Sequence, residues 1–151
     1  MIFNQDQPST SIYLVIDGKA KVSRLADNGH QVVMDIYQTD EFFGESGFLN
    51  LTHRAEQAMA IENTKLMTWA TQDIEELVNK RPKLAIALVQ ILVQRTIEFS
   101  HRIESFSVDN IARRLARTLL RFVDRLGVPE EDGSFSMAPF THELLSQYVG
   151  T

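Results

Sequence analysis

A chain of 151 residues, 44% hydrophobic and 23% charged, has the length of one ordinary domain, or of one domain plus part of another, and enough apolar content to bury a core. Its formal net charge of −5 argues against a uniformly basic nucleic-acid binder, and the absence of cysteine excludes disulfide frameworks, thiolate zinc sites, iron–sulfur clusters and cysteine nucleophiles. No apolar run reaches the roughly 18 to 20 residues needed to span a bilayer and no charged-then-apolar leader opens the sequence, so a cytoplasmic protein with no membrane partner is expected.

From Ile12 the pattern has strand character. IYLVIDGKAKVSRL joins an apolar run to an alternating one across a turn at Asp17-Gly18, with Ala20 and Val22 on one face and Lys19, Lys21 and Ser23 on the other. The turn tract DNG, Asp27 to Gly29, leads into the strand QVVMDIY, and EQAMAIENTKLMTW gives two further strands broken at Glu62-Asn63. These features predict a compact antiparallel β-fold, a sandwich or roll.

At Thr71 the period changes. TQDIEELV reads as a short helix with Thr71 as its N-cap and acidic residues in its first turn. A longer helix is predicted over about 82–106, with Pro82 acceptable in its first turn. One of its stripes is Leu84, Leu88, Leu92, Arg95, Phe99, Phe106; the other is Ile86, Val89, Val93, Thr96, Ser100, Ile103. The second stripe has the 3-4-3-4-3 spacing of a coiled-coil seam, which points to a homodimer through this helix, the alternative being a core helix covered within one domain.

Cap-type residues at Ser107 to Asn110 break the pattern, and IARRLARTLLRFVDRL resumes it. At about 100° per residue, Arg113, Arg114, Arg117, Arg121 and Arg125 share one arc of about 120°, opposite Ile111, Leu115, Leu119, Phe122, Val123 and Leu126. Five of the ten arginines thus make an outward basic stripe, either a solvated face or a surface for DNA phosphates. GVPEEDGSF reads as a loop. In APFTHELLSQYVGT, Thr141 is a good N-cap, Phe140 and Leu145 stand at hydrophobic-staple positions, and the helix stops at Gly150.

IFNQDQPSTSIYLVIDGKAKV, DEFFGESGFLNLTHRAEQAMA, the long helix, NIARRLARTLLRF and FTHELLSQYVGT, in this order, resemble the catabolite-activator (Crp/Fnr-type) family of bacterial transcription regulators over practically the whole chain. The resemblance implies an α+β fold: an antiparallel, jelly-roll-like cyclic-nucleotide-binding β-roll, a long dimerisation helix and the start of a winged helix-turn-helix. The implied domains are an effector domain over 1–108 and, over 109–151, the first part of a DNA-binding domain without its recognition helix. The chain departs from the family pattern at Asp6 and Asp40, which replace turn glycines, at Ala55, where relatives often carry a hydroxyl, and at Glu56, where a small residue is common.

Within the cassette, Glu45 stands nine positions before Arg54. The resemblance implies that Gly44 lets the backbone approach a ligand closely, that backbone N–H groups from Glu45 and Ser46 onward face a phosphate, and that Arg54 makes a forked, charge-assisted contact to it. Glu45 would accept a hydrogen bond from a ribose 2′-hydroxyl, and Ala55 favours cyclic AMP over cyclic GMP as effector. The structural alternative is a Glu45–Arg54 ion pair that merely closes the loop. Ser100 falls where relatives contact the base from the long helix, or is a small residue tolerated at a helix crossing. Arg113, Arg114, Arg117 and Thr141 are the candidates for DNA-backbone contact, and RNA polymerase is a further partner that the family implies.

An enzyme is not expected. His30, His53, His101 and His142 have no metal-ligand spacing and no Ser-His-Asp grouping is suggested, so the sequence offers no catalytic residue, metal site or cofactor. Two other readings stay open: a signalling module that binds cyclic nucleotide but not DNA, and a regulator of the same family that senses another ligand or none.

Overall fold

The computed structural model describes residues 1–151, which fall into two compact units, Met1–Leu84 and Ala85–Thr151. The join lies inside the long helix, whereas the sequence reading places it after that helix. No helix is long and apolar enough to cross a membrane.

The first unit is built from two three-stranded antiparallel sheets. In one, β1 (Ser11–Asp17) is central between β4 (Phe42–Phe43) and β6 (Lys65–Ala70); in the other, β2 (Lys19–Leu25) is central between β3 (Gln31–Gln38) and β5 (Gln57–Ala60). Phe3, Val15, Ala20, Val22, Tyr37, Phe43 and Ala58 form the core, with the Tyr13 and Phe43 rings stacked at 5.3 Å between centroids. The expected turns at Gly18 and Gly29 take positive φ, as does Asp40 at 69°, but Asp6 does not, and Asn50 at 49° is a left-handed position the sequence did not announce.

One face assignment is corrected. Ser23 was expected outside with Lys19 and Lys21, yet it is fully buried beside Val22. The β2–β3 register shifts between Val22 and Ser23, and such a bulge aims two consecutive side chains inward. The buried hydroxyl then accepts from Gln31 at 2.8 Å.

α1 (Thr71–Lys80) follows β6 directly. Its N-cap is Ala70, not the expected Thr71; Thr71 is the first helical residue, buried, with its hydroxyl donating to the Thr10 carbonyl at 3.4 Å. α2 (Lys83–Val108) has 26 residues and buries none of them fully.

In the second unit, α2 gives way to α3 (Ile111–Leu126), whose N-cap Asn110 accepts from the Arg113 N–H at 2.9 Å. The segment read as a loop contains a hairpin of β7 (Val128–Pro129) and β8 (Phe135–Ser136). α4 (His142–Val149) is capped as expected, Thr141 Oγ1 accepting from the Leu144 N–H at 3.1 Å and Gly150 adopting φ 76°. Phe122 is fully buried against Phe140 and Tyr148, each ring 4.9 Å away. Ile111, expected on the inward face of α3, is 51% exposed because it begins the helix ahead of the packed turns.

Candidate functional site

The FGE-to-RA cassette folds onto the backbone of β1. Gly44 has φ 85° and precedes a five-residue 3-10 helix, Glu45–Leu49. A Cβ at Gly44 would lie 3.0 Å from Tyr13 Cδ2, 3.3 Å from the Ser11 carbonyl and 3.4 Å from Arg54 Nη1; one at Gly47 would lie 3.0 Å from the same Ser11 carbonyl. Glycine is therefore needed at Gly44 for its dihedral and for the close approach together.

Arg54 is 3% exposed, with its guanidinium carbon 4.0 Å from the centroid of the Phe3 ring. Nη2 donates to the Ser11 carbonyl at 2.7 Å, which fixes one arm of the fork, while Nη1 donates to Ser46 Oγ at 3.3 Å. Ser46 is the hub of the site: its hydroxyl lies 3.0 Å from that of Ser9 and donates to Glu56 Oε1 at 2.5 Å. The same Glu56 oxygen is 3.9 Å from Arg54 Nη1. The ion pair expected as the structural alternative thus forms at Arg54, but with Glu56 in place of Glu45. Glu45 is half-buried at the start of the 3-10 helix, and Ala55 is exposed.

Sequence reasoning chose Gly44, Glu45, Ser46 and Arg54, which the structure brings together. It gave no role to Phe3, Ser9, Ser11 or Tyr13. Arg54 is held by the backbone carbonyl of Ser11, a contact that carries no side-chain signal, while Ser9 enters only through its hydroxyl on Ser46.

In the second unit, Ile86, Val89, Val93, Thr96, Ser100 and Ile103 are all exposed in the single chain, the four aliphatic ones between 51% and 66%. Thr96 Oγ1 donates to the Leu92 carbonyl and Ser100 Oγ to the Thr96 carbonyl, so both hydroxyls are satisfied along the helix.

The basic stripe of α3 is not the uniform outward surface expected from sequence. Arg113 and Arg117 are exposed, but both converge on the buried Asp109, at 3.5 and 3.1 Å, and Ser105 Oγ donates to the same carboxylate at 2.8 Å. Arg114, Arg121 and Arg125 are half-buried. Arg121 donates to Glu98 at 2.6 Å and to the Tyr148 hydroxyl at 2.8 Å, and Arg114 packs over the Phe106 ring at 5.1 Å. With Arg102, stacked on Tyr148 at 4.0 Å, these side chains line a cavity of about 210 Å³. The cause is geometric. The residues at about 80–120° around the helix from Arg113 border the buried face of Thr118 and Phe122, and only those at about 0–40° reach solvent. Thr141 is exposed and engaged as the α4 cap. No group of three His, Asp or Glu side chains is placed to hold a metal ion.

A two-sheet roll with a glycine-led 3-10 turn laid against one buried arginine defines a class, and the chain belongs to it: the cyclic nucleotide-binding domain family, whose profile matches residues 1–81. Its relatives are transcription regulators of the Crp/Fnr type, as the resemblance implied. The chain is 23% identical over 149 residues to the CRP-like cAMP-activated global transcriptional regulator of Mycobacterium tuberculosis, covering 99% of this chain and 66% of that one. It is 28% identical over 150 residues to the cyclic AMP receptor protein of Thermus thermophilus, again covering 99% and 66%. The structure of FixK2 from Bradyrhizobium japonicum superimposes with a TM-score of 0.81 at 20% identity, over 99% of this chain and 72% of that one, which supports the α+β fold. The chain therefore spans about two thirds of the length of the curated relatives it matches.

Proposed function

We propose that this chain is the effector-binding and dimer-forming part of a Crp-type transcription regulator, and that its β-roll binds a cyclic nucleotide, cyclic AMP in preference to cyclic GMP. The observation that carries the reading is the buried Arg54, anchored through Nη2 on Ser11 and presenting Nη1 beside Gly44 and Ser46 at the head of the 3-10 helix. A fork fixed on one arm is pre-organised to offer the other to a phosphate oxygen, at little entropic cost.

In this reading Arg54 and Ser46 hold the cyclic phosphate, Glu45 accepts from the ribose 2′-hydroxyl, and Ala55 leaves out the hydroxyl that would favour guanine. Ser100 supplies a base contact from α2, and two chains pair through Ile86, Val89, Val93, Thr96, Ser100 and Ile103, whose exposure in the single chain supports a seam. DNA is read by a helix following α4, with Arg113 and Arg117, the members of the α3 stripe that reach solvent, as the candidates for phosphate contact, and RNA polymerase is the downstream partner. The relatives are regulators, not enzymes, and no catalytic role is proposed.

Calorimetric titration with cyclic AMP and cyclic GMP tests the reading: micromolar or tighter binding of cyclic AMP is expected, and no heat with either nucleotide refutes it. The carboxylate of Glu56 beside Arg54 favours one second reading, a regulator of the same type that senses another ligand or none.

A further inference from the structure

Glu56 is held as a ligand would be. Its Oε1 accepts a hydrogen bond from the Ser46 hydroxyl at 2.5 Å and lies 3.9 Å from Arg54 Nη1, the arm that β1 leaves unanchored. The other arm is committed to the Ser11 carbonyl, and the Phe3 ring backs the guanidinium plane, so Arg54 cannot swing elsewhere to meet an anion. The side chain of Glu56 is 19% exposed, against 1% for Arg54, and it stands on the solvent side of the pair. From this geometry we infer that Glu56 is a built-in anionic occupant of the phosphate position: the resting protein carries its own carboxylate where the effector's phosphate is to go, and binding requires exchange of one for the other. The inference rests on the proposed nucleotide reading and deepens it.

The exchange has a defined energetic sense. A phosphate that arrives while Glu56 is in place meets a like charge within contact range and a serine whose proton is already committed. The apparent affinity is then the intrinsic affinity scaled by the fraction of molecules in which Glu56 has turned out. Glu56 thus sets the threshold concentration of effector, and also selects against a ligand that does not bring its own anion, since the site is satisfied without one.

Glu56→Gln and Glu56→Ala, compared with the unaltered chain, test this. Titrated with cyclic AMP, both variants should bind roughly ten- to a hundredfold more tightly, the range expected when a competing charge-assisted contact is removed. Equal affinity in all three proteins overturns the inference and leaves the nucleotide reading standing. If none of the three binds either nucleotide, the nucleotide reading falls, and inorganic phosphate decides the inference separately. Phosphate should raise the melting temperature of both Glu56 variants and not that of the unaltered chain; the absence of any phosphate shift in the variants overturns it.

Discussion

Replacing Arg54 by alanine tests how far the candidate site also supports the fold. Four contributions are lost: the charge-assisted bond to the Ser11 carbonyl at 2.7 Å, of about 1.5–3 kcal/mol; the contact with the Phe3 ring at 4.0 Å, of about 2 kcal/mol where water is excluded; the pair with the partly solvated Glu56, of at most about 1 kcal/mol; and the long bond to Ser46 Oγ at 3.3 Å, of about 0.5 kcal/mol. Together they come to about 4–6 kcal/mol, comparable with the roughly 3–5 kcal/mol measured when one partner of a buried pair is removed. A domain of this size loses roughly 4–8 °C of melting temperature per kcal/mol, so Arg54→Ala should melt roughly 20 °C lower. The single tryptophan, Trp69 on β6, lies in the same unit and reports its unfolding by fluorescence without interference from Ala85–Thr151. Arg54→Lys keeps the charge and loses the fork, and should fall about half as far. A drop below about 5 °C for Arg54→Ala would refute the reasoning and show that the guanidinium is held by the fold more than it holds it. The size of the effect also matters for ligand studies, because loss of nucleotide binding by Arg54→Ala is informative only at temperatures where that variant is still folded.

Val93→Glu places two carboxylates face to face in the proposed α2 seam and should give monomers in sedimentation where the parent sediments as a dimer; an unchanged dimer would move the seam elsewhere. Gly44→Ala combines φ 85° with a 3.0 Å approach to Tyr13 and should lower the Trp69-detected melt by on the order of 10 °C, whereas Gly29→Ala, at φ 82° with open space around it, should show only the dihedral part, about 1–2 kcal/mol. The Ser134 hydroxyl and N–H hold the Asp132 carboxyl below its ordinary range in the hairpin turn, so this turn is stabilised above the usual carboxylate pKa, near 4, and loses that support as the pH falls through the lower folded value; Ser134→Ala should return the Asp132 titration, followed by NMR, to the ordinary range. Arg117→Ala should reduce the slope of log K against log salt for DNA binding by about 1 if this side chain meets a phosphate, and an unchanged slope would assign it to Asp109 alone.

The strands and helices were legible because their periods are uninterrupted. β1, β2, β3, β5 and β6 fall where the apolar alternation and the turn residues put them; Asn110 and Thr141 begin helices through their capping side chains, and Gly150 ends one through its left-handed backbone. The two-residue strands β4, β7 and β8 were not legible, because two residues carry no period. Ser23 failed for a related reason. A bulge resets the alternation, and its only sequence trace is a polar residue on what becomes the inner face.

Glu56 and the arginines of α3 show a deeper limit, in opposite directions. The lead into β5 keeps an i, i+2 relation in which Arg54 and Ala58 are buried and Glu56 between them is half-buried, so the alternation already placed the acid on the side of the arginine. What the period could not supply was the depth of Arg54, since an exposed arginine would have left Glu56 a surface neighbour of little consequence. On α3 the period did group five arginines on one arc, but it left open how wide the buried face is. The packing of Phe122 against Phe140 and Tyr148 widens that face until Arg114 and Arg121 are drawn in, where Glu98, Tyr148 and Phe106 compensate their charge. Any account of DNA contact by this helix therefore has to begin from Arg113 and Arg117, and has to include the buried Asp109 that already holds both of them.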